Sequence, residues 1–107
     1  MAFLFLLCWT VEGALVRTID GDTFVADLRV WQQVTAREHV RLLAIDTPEL
    51  AQPKGPEAKA FTEGWLRQGP FQVQSCKRDS FGRVLGNVLR TGQSLAETLK
   101  TAGYGTP

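Results

Sequence analysis

Four carboxylates stand at two turns of this sequence. Asp46 and Glu49 lie three residues apart, where the apolar run of Val40, Leu42, Leu43, Ala44 and Ile45 gives way to Pro48, and Asp20 and Asp22 flank Gly21. Carboxylate oxygens are ligands for hard cations, at roughly 2.3–2.6 Å for calcium, so Asp22 and Asp46 can share one ion if the strands leading out of their turns are neighbours. Asp and Gly also build hairpin turns for purely conformational reasons, and the DGD triplet alone leaves both readings open. Arg41 interrupts the apolar run. Its guanidinium either clamps an oxyanion with a planar fork or pairs internally with a carboxylate such as Asp46.

The elements that must position these groups follow from periodicity and punctuation. Val40 to Ile45 reads as a strand buried on both faces. Before it, Ala14 to Ile19 and Phe24 to Val30 read as a hairpin joined at the DGD turn, with Trp31 to His39 a polar connection. Thr47 to Gly55 is a loop marked by Pro48, Pro53 and Gly55. A helix then starts near Pro56, with Glu57 in its first turn and Ala58, Phe61, Trp65 and Leu66 as its buried stripe, and Gly69 and Pro70 end it. Phe71 to Cys76 is a fourth strand, Lys77 to Gly82 a charged turn, and Val84 to Leu89 a fifth strand in which Gly86 marks a bulge or a tight bend. Ser94 and Glu97 form a capping box for a short helix with apolar positions Leu95, Ala96, Leu99 and Ala102, stopped by Gly103. The fold class expected is α+β, mainly β. Five short strands, a helix after the third and a C-terminal helix match a partly open Greek-key barrel of the oligonucleotide-binding type, although the pattern alone also permits other small α+β folds.

Composition narrows the classes. The 107 residues, 44% hydrophobic, suit one domain spanning 1–107 with a modest core. Twelve basic and 11 acidic residues leave a formal charge of +1, so any site for a polyanion must be local. No stretch reaches the roughly 20 apolar residues of a spanning helix, and no membrane role is expected. Residues 1–9 read either as the first barrel strand, continuing into Thr10 and Val11, or as the remnant of an export signal without its usual positive start. His39, the sole histidine, has no Cys or His at ligand spacing, so zinc chemistry is unsupported and the residue is expected in solvent.

The segments Ile19 to Thr23 (IDGDT), Arg41 to Glu49 (RLLAIDTPE), Gly55 to Glu63 (GPEAKAFTE) and Asp79 to Arg83 (DSFGR) resemble, in order and spacing, the staphylococcal nuclease (thermonuclease) family. The resemblance runs from about Leu15 to Gly103, and the four motifs together are far more specific than any one. It selects the barrel among the possible folds. It implies that Asp22 and Asp46 are calcium ligands with the backbone carbonyl of Thr47, that Asp20 is an outer carboxylate, and that Glu49 orients and deprotonates the attacking water. Arg41 and Arg83 would clamp the phosphate. The activity implied is a Ca2+-dependent, largely sequence-nonspecific nuclease, expected as a monomer. Its substrates would be single-stranded or locally opened DNA and RNA, cleaved to leave 3′-phosphate ends.

Phe81, Lys54 and Tyr104 are the expected substrate-binding residues. Phe81 precedes the Gly-Arg pair, Lys54 is the one basic residue of the loop after Glu49, and Tyr104 stands in for a stacking residue near a terminus expected to fray. Trp31 also invites a stacking role, whereas Trp65 fits the helix core. Ser80 and Phe81 replace a Lys and a Tyr of the best-known members, which weakens binding of a terminal phosphate. The sequence ends at Pro107, without the later aromatic residues and final helix of longer relatives. In the implied barrel the start of the first strand lies beside the end of the fourth, so Cys8 and Cys76 could pair in an exported protein; export, secreted or periplasmic, is favoured over the cytoplasm. The competing function is an oligonucleotide-binding-type module that binds nucleic acid or protein without cleavage. Retention of Asp22, Arg41, Asp46, Glu49 and Arg83 argues against it.

Overall fold

A computed structural model describes residues 8–107. The reading of residues 1–9 as a strand or an export signal falls mostly outside the described residues; Trp9 opens the first strand. β1 (Trp9–Asp20) is a single element, longer than the Ala14 to Ile19 segment that local pattern marks. Its first half pairs with β4 (Phe71–Arg78) from Trp9↔Ser75 to Gly13↔Phe71. Its second half pairs with β2 (Thr23–Trp31) from Gly13↔Leu28 to Asp20↔Thr23. Gly13 is the hand-over point, where a Cβ would stand 2.7 Å from the Phe71 ring, so only glycine lets the strand pass between two partners at that spot.

β3 (Val34–Leu42) corrects two expectations. The segment Trp31 to His39 is not a polar connection: β2 and β3 form a long hairpin from Thr23↔Arg41 to Trp31↔Val34, with Gln33 at positive φ in its turn. The third strand also ends at Leu42 rather than Ile45. Leu43 and Ala44 form an exposed turn, Ala44 at φ 63°, because Leu43 N–H already donates to the Gly86 carbonyl and no further ladder partner follows. A period of two was present in Thr35, Arg37, His39 and Arg41 facing out against Ala36, Glu38, Val40 and Leu42 facing in. Glu38 on the inward row disguised it.

β3 pairs in parallel with β5 (Val84–Arg90) through Val40↔Val84, Arg41↔Leu85 and Leu42↔Gly86. That pairing closes the order β3-β2-β1-β4-β5 into a five-stranded barrel, to which β6 (Gln93–Ser94) adds a short edge that the sequence pattern did not mark. Gly86 sits where a Cβ would press within 2.8 Å of Val73, and the bulge lies opposite it on β4, between Ser75 and Lys77. Cys76 is the extra residue there, and it is joined to Cys8 by a disulfide. The two cysteines that the resemblance brought together are bonded.

The barrel interior is apolar, with Phe24 and Phe71 meeting edge to face at 5.7 Å between centroids. Helix α1 (Gly55–Leu66) buries Ala58, Thr62, Trp65 and Leu66, while Phe61 packs on the margin of the core. Helix α2 (Leu95–Thr101) buries Leu95, Ala96 and Leu99, and the Ser94 side chain accepts from Glu97 N–H at 3.3 Å as its cap. Ala102, expected on the buried side, is the exposed C-cap. Among the described residues no helix is long and apolar enough to cross a membrane.

One cation is built into this architecture. The last turn of α1 has no basic residue of its own, yet Arg90 stacks over the Trp65 ring at 4.2 Å and donates to the carbonyls of Trp65 (2.6 Å), Leu66 (3.3 Å), Gly69 (2.6 Å) and Pro70 (3.2 Å). It satisfies helix-end acceptors from across the chain and complements the negative end of the helix. Arg90→Ala is expected to lower unfolding free energy by about 1.5–3 kcal/mol, the range for hydrogen bonds to a charged group. The urea midpoint should fall at an unchanged m-value. A midpoint equal to wild type would show that water replaces the guanidinium at no cost.

Candidate active site

The site residues gather where three connections and the end of one strand meet. The β1–β2 turn supplies Asp20 and Asp22, the end of β3 supplies Arg41, the loop that follows supplies Asp46 and Thr47, and the β4–β5 turn supplies Arg83. Packing fixes these connections on one another. Gly21 lies so close to Thr47 and Ala58 that a Cβ would approach within 2.6 Å of the Thr47 hydroxyl, and its carbonyl accepts from the Thr62 hydroxyl of α1 at 2.6 Å. Asp22 carbonyl accepts from Leu42 N–H at 2.9 Å. The first acidic turn is therefore tied both to the strand carrying Arg41 and to the helix.

Asp22 is buried and heavily partnered. One carboxylate oxygen accepts from Thr47 N–H at 3.0 Å and the other from the Thr23 hydroxyl at 3.0 Å. Arg41 Nη2 stands 3.4 Å from Asp22 and bonds Asp46 directly. Arg41 Nη1 donates to the carbonyls of Leu42 (2.7 Å) and Ile45 (2.8 Å). The guanidinium thus links the two carboxylates that stand in separate turns of the sequence, and its internal pairing with Asp46 is present. Burial raises the Asp22 carboxyl, but the hydrogen bond shared with Asp20, the Thr47 N–H, the Arg41 charge and the Thr23 hydroxyl hold it below its ordinary range. Burial, then the hydrogen bond and charge of Asp22, push the Asp20 carboxyl up to about 6.

Asp46 has an exposed side chain but a fixed backbone, because its N–H donates to Thr106 carbonyl at 2.8 Å and its carbonyl accepts from Thr106 N–H at 3.0 Å. Tyr104, expected to fray, packs its ring 5.4 Å from Phe61 and donates its N–H to Leu99 carbonyl at 3.0 Å. It also lines a cleft of about 500 Å³ with Asp46, Thr47 and Pro48. The terminal segment braces the acidic loop.

Arg83 is held by its own turn. Asp79 accepts from Arg83 Nε at 2.7 Å and from the backbone N–H groups of Arg83 and Phe81, both at 2.9 Å. Burial raises the Asp79 carboxyl, and these hydrogen bonds outweigh it, so the group stays ionised below its usual range. The terminal nitrogens of Arg83 make no hydrogen bond among the described residues. Arg41, Asp46 and Arg83 line one cleft of about 260 Å³ together with Leu42 and Asp79. Two arginines and an aspartate therefore line a single space with room for a phosphate.

Glu49 and Lys54 do not line that cleft. Glu49 is exposed, its N–H donates to the Gln52 side chain at 2.8 Å, and its carboxylate makes no hydrogen bond among the described residues. Gly55 packs against the Glu49 carbonyl, where a Cβ would fall at 2.0 Å. Lys54 is exposed at the N-cap of α1 in a left-handed conformation, φ 68°. Phe81 is 82% exposed, with the Arg83 guanidinium 5.3 Å from its ring centre. Asp79 is the residue that sequence reasoning missed; an Asp four positions before an Arg across a Gly-containing turn was the available signal.

The donor set fits a hard divalent ion. Asp20 and Asp22 together repel a second negative charge, the Thr47 hydroxyl is buried without a hydrogen-bond partner, and every ligand atom on offer is oxygen. Among the described residues no three acidic, His or Cys side chains form a ready cluster. An ion here would complete its coordination with water rather than sit in an all-protein cage.

Comparison with known proteins places the chain in a family. Residues 39–106 match the family model described as staphylococcal nuclease homologue. The chain is similar to Endonuclease YncB of Bacillus subtilis (strain 168), 33% identical over 102 residues covering 87% of this chain and 46% of that protein. It is also similar to the Thermonuclease of Staphylococcus hyicus, 32% identical over 97 residues covering 83% and 54% respectively. The SPbeta prophage-derived endonuclease YokF of Bacillus subtilis (strain 168) is 34% identical over 102 residues, covering 87% of this chain and 33% of that protein. The chain spans a third to about half the length of these relatives.

Proposed function

The chain belongs to the staphylococcal nuclease family, and from that premise we propose that it is a nuclease hydrolysing phosphodiester bonds of DNA and RNA with calcium at the Asp22–Asp46 site. The observation that carries this reading is the shared cleft of Arg41, Arg83 and Asp46. Asp22, Asp46 and the Thr47 carbonyl would hold the ion, with Asp20 behind them. Bound there, calcium supplies charge that polarises a phosphoryl oxygen.

The chain's own residues do the rest. Arg83, anchored through Nε, offers its terminal nitrogens to the phosphate, and Arg41 is held at the same cleft by two carbonyls and Asp46. Both charges are in place before negative charge grows on the phosphoryl oxygens, so little reorganisation accompanies reaction. Glu49, on the loop held by Gly55 and Gln52 outside this cleft, would turn its exposed carboxylate toward the bound phosphate to orient a water and take its proton. Release of 3′-phosphate ends, a preference for single-stranded or opened substrate, and action as a monomer complete the reading. The Cys8–Cys76 disulfide supports export, because such bonds persist in oxidising compartments.

Digestion of denatured DNA by the purified protein, with calcium or with a chelator, tests the proposal. Cleavage is expected only with calcium and should fall by at least about 10²-fold in Glu49→Gln, the scale of one positioned acid–base group. Cleavage that persists in the chelator would overturn the metal assignment. A folded protein that binds oligonucleotides without cutting them at any calcium concentration would instead be a binding module.

A further inference from the structure

The outward face of β3 carries Arg41, His39 and Arg37 at alternate positions. Residues two apart on a strand share a face and stand about 6.6–6.8 Å apart, comparable to one nucleotide step of an extended backbone. Arg41 lies in the cleft with Arg83, whereas His39 and Arg37 line a second cleft of about 510 Å³ whose other wall is Phe81, Gly82 and Arg83. Arg83 borders both spaces, which places the two clefts side by side.

The second cleft has a braced geometry. Arg78 donates to both oxygens of Glu38 on β3, at 2.8 Å each, and to the Gly82 carbonyl at 2.8 Å. That one side chain fastens the β3 wall to the turn carrying Phe81. Arg37 is anchored as Arg83 is: Asp27, directly opposite on β2, accepts from its Nε at 2.9 Å and its Nη2 at 3.1 Å, and Nη1 makes no hydrogen bond among the described residues. The opposite wall offers the exposed Phe81 ring, an aromatic face on which a base can stack.

We infer that this groove is a binding track for the nucleotides flanking the scissile phosphate, with His39 and Arg37 contacting successive phosphates and Phe81 stacking a base. The ligand class is a single-stranded polynucleotide. The track rests on reading the Arg41–Arg83 cleft as the phosphodiester site, and it makes affinity depend on substrate length. A dinucleotide places its one phosphodiester in the first cleft; longer strands reach the second.

The test is fluorescence anisotropy with 5′-fluorescein-labelled oligothymidylates of two and eight nucleotides, in the Glu49→Gln background with calcium, beside a hydrolysis assay of the otherwise native chain. Adding Arg37→Ala and His39→Ala together should weaken octanucleotide binding about 10-fold and leave the dinucleotide within about twofold. The slope of log affinity against log salt should become shallower by about 0.7 for each phosphate that the variant no longer neutralises. Thr35→Lys places a cation at the next outward position and should strengthen octanucleotide binding about threefold, a gain that misfolding cannot imitate. Unchanged octanucleotide affinity in the double variant, or equal losses at both lengths, would overturn the track. Normal hydrolysis with no length effect removes the track and keeps the nuclease. A length effect in a chain that cuts nothing keeps the track and removes the nuclease.

Discussion

Arg83→Ala is expected to lower kcat/KM on denatured DNA by about 10²–10³, the loss typical of removing one preorganised donor to developing charge, with thermal stability close to wild type. The separation of effects follows from its hydrogen bonds. Arg83 spends Nε on Asp79 and leaves its terminal nitrogens facing the cleft, so truncation removes donors to substrate while Asp79 keeps its two backbone N–H partners. Arg41 is a poorer probe. Its removal would leave the buried Asp22 without its cation and the Leu42 and Ile45 carbonyls without donors, mixing a folding penalty with any catalytic one.

Arg83→Lys should recover only part of the activity, since an ammonium cannot bond Asp79 edge-on and present a planar fork to phosphate. Asp79→Asn should fall between wild type and Arg83→Ala, because the guanidinium remains but is less firmly aimed. Steady-state rates on denatured DNA, with urea midpoints measured on the same preparations, give the comparison. Rates within twofold of wild type for Arg83→Ala would remove it from the phosphate clamp.

The acidic turns, the Arg41 anomaly and both helices were legible because each is written locally. DGD and DTPE combine turn chemistry with charge, Pro56 and Ser94 mark helix starts, and apolar spacing marks the faces that pack. The β2–β3 hairpin was not legible. Gln32–Gln33 is a poor turn signal, since a left-handed residue there is more often Gly or Asn, and Glu38 on the inward row is paired with Arg78, 40 residues away. Long-range pairing of that kind leaves no local trace. Missing the hairpin hid the alignment of His39 and Arg37 with Arg41, and so hid the second groove. The role of Arg90 was hidden for the same reason, as its four acceptors lie in or just beyond a helix more than 20 residues earlier for three of them and 20 for Pro70.

The disulfide should have the largest effect on stability. Cys8 and Cys76 close a loop with a sequence separation of 68, for which the chain-entropy relation gives about 4 kcal/mol of destabilisation of the unfolded state. The bond lies at the start of β1 and at the β4 bulge, the two strands that pair from Trp9↔Ser75 to Gly13↔Phe71. Its loss frees the first half of β1, whereas the second half stays paired to β2. Cys8→Ser/Cys76→Ser, or the native chain under reductant, is therefore expected to lose about 2–4 kcal/mol in urea unfolding. Hydrogen exchange should quicken first at residues 9–13 and their β4 partners. The Asp22, Arg41 and Asp46 cluster is built from the β1–β2 turn, β3 and the loop after it, so calcium-dependent cleavage at low temperature should survive reduction. A reduced protein that unfolds at the same urea concentration would show that the β1–β4 ladder needs no covalent tie. Loss of activity without loss of stability would show that β4 communicates with the Asp79–Arg83 turn that follows it.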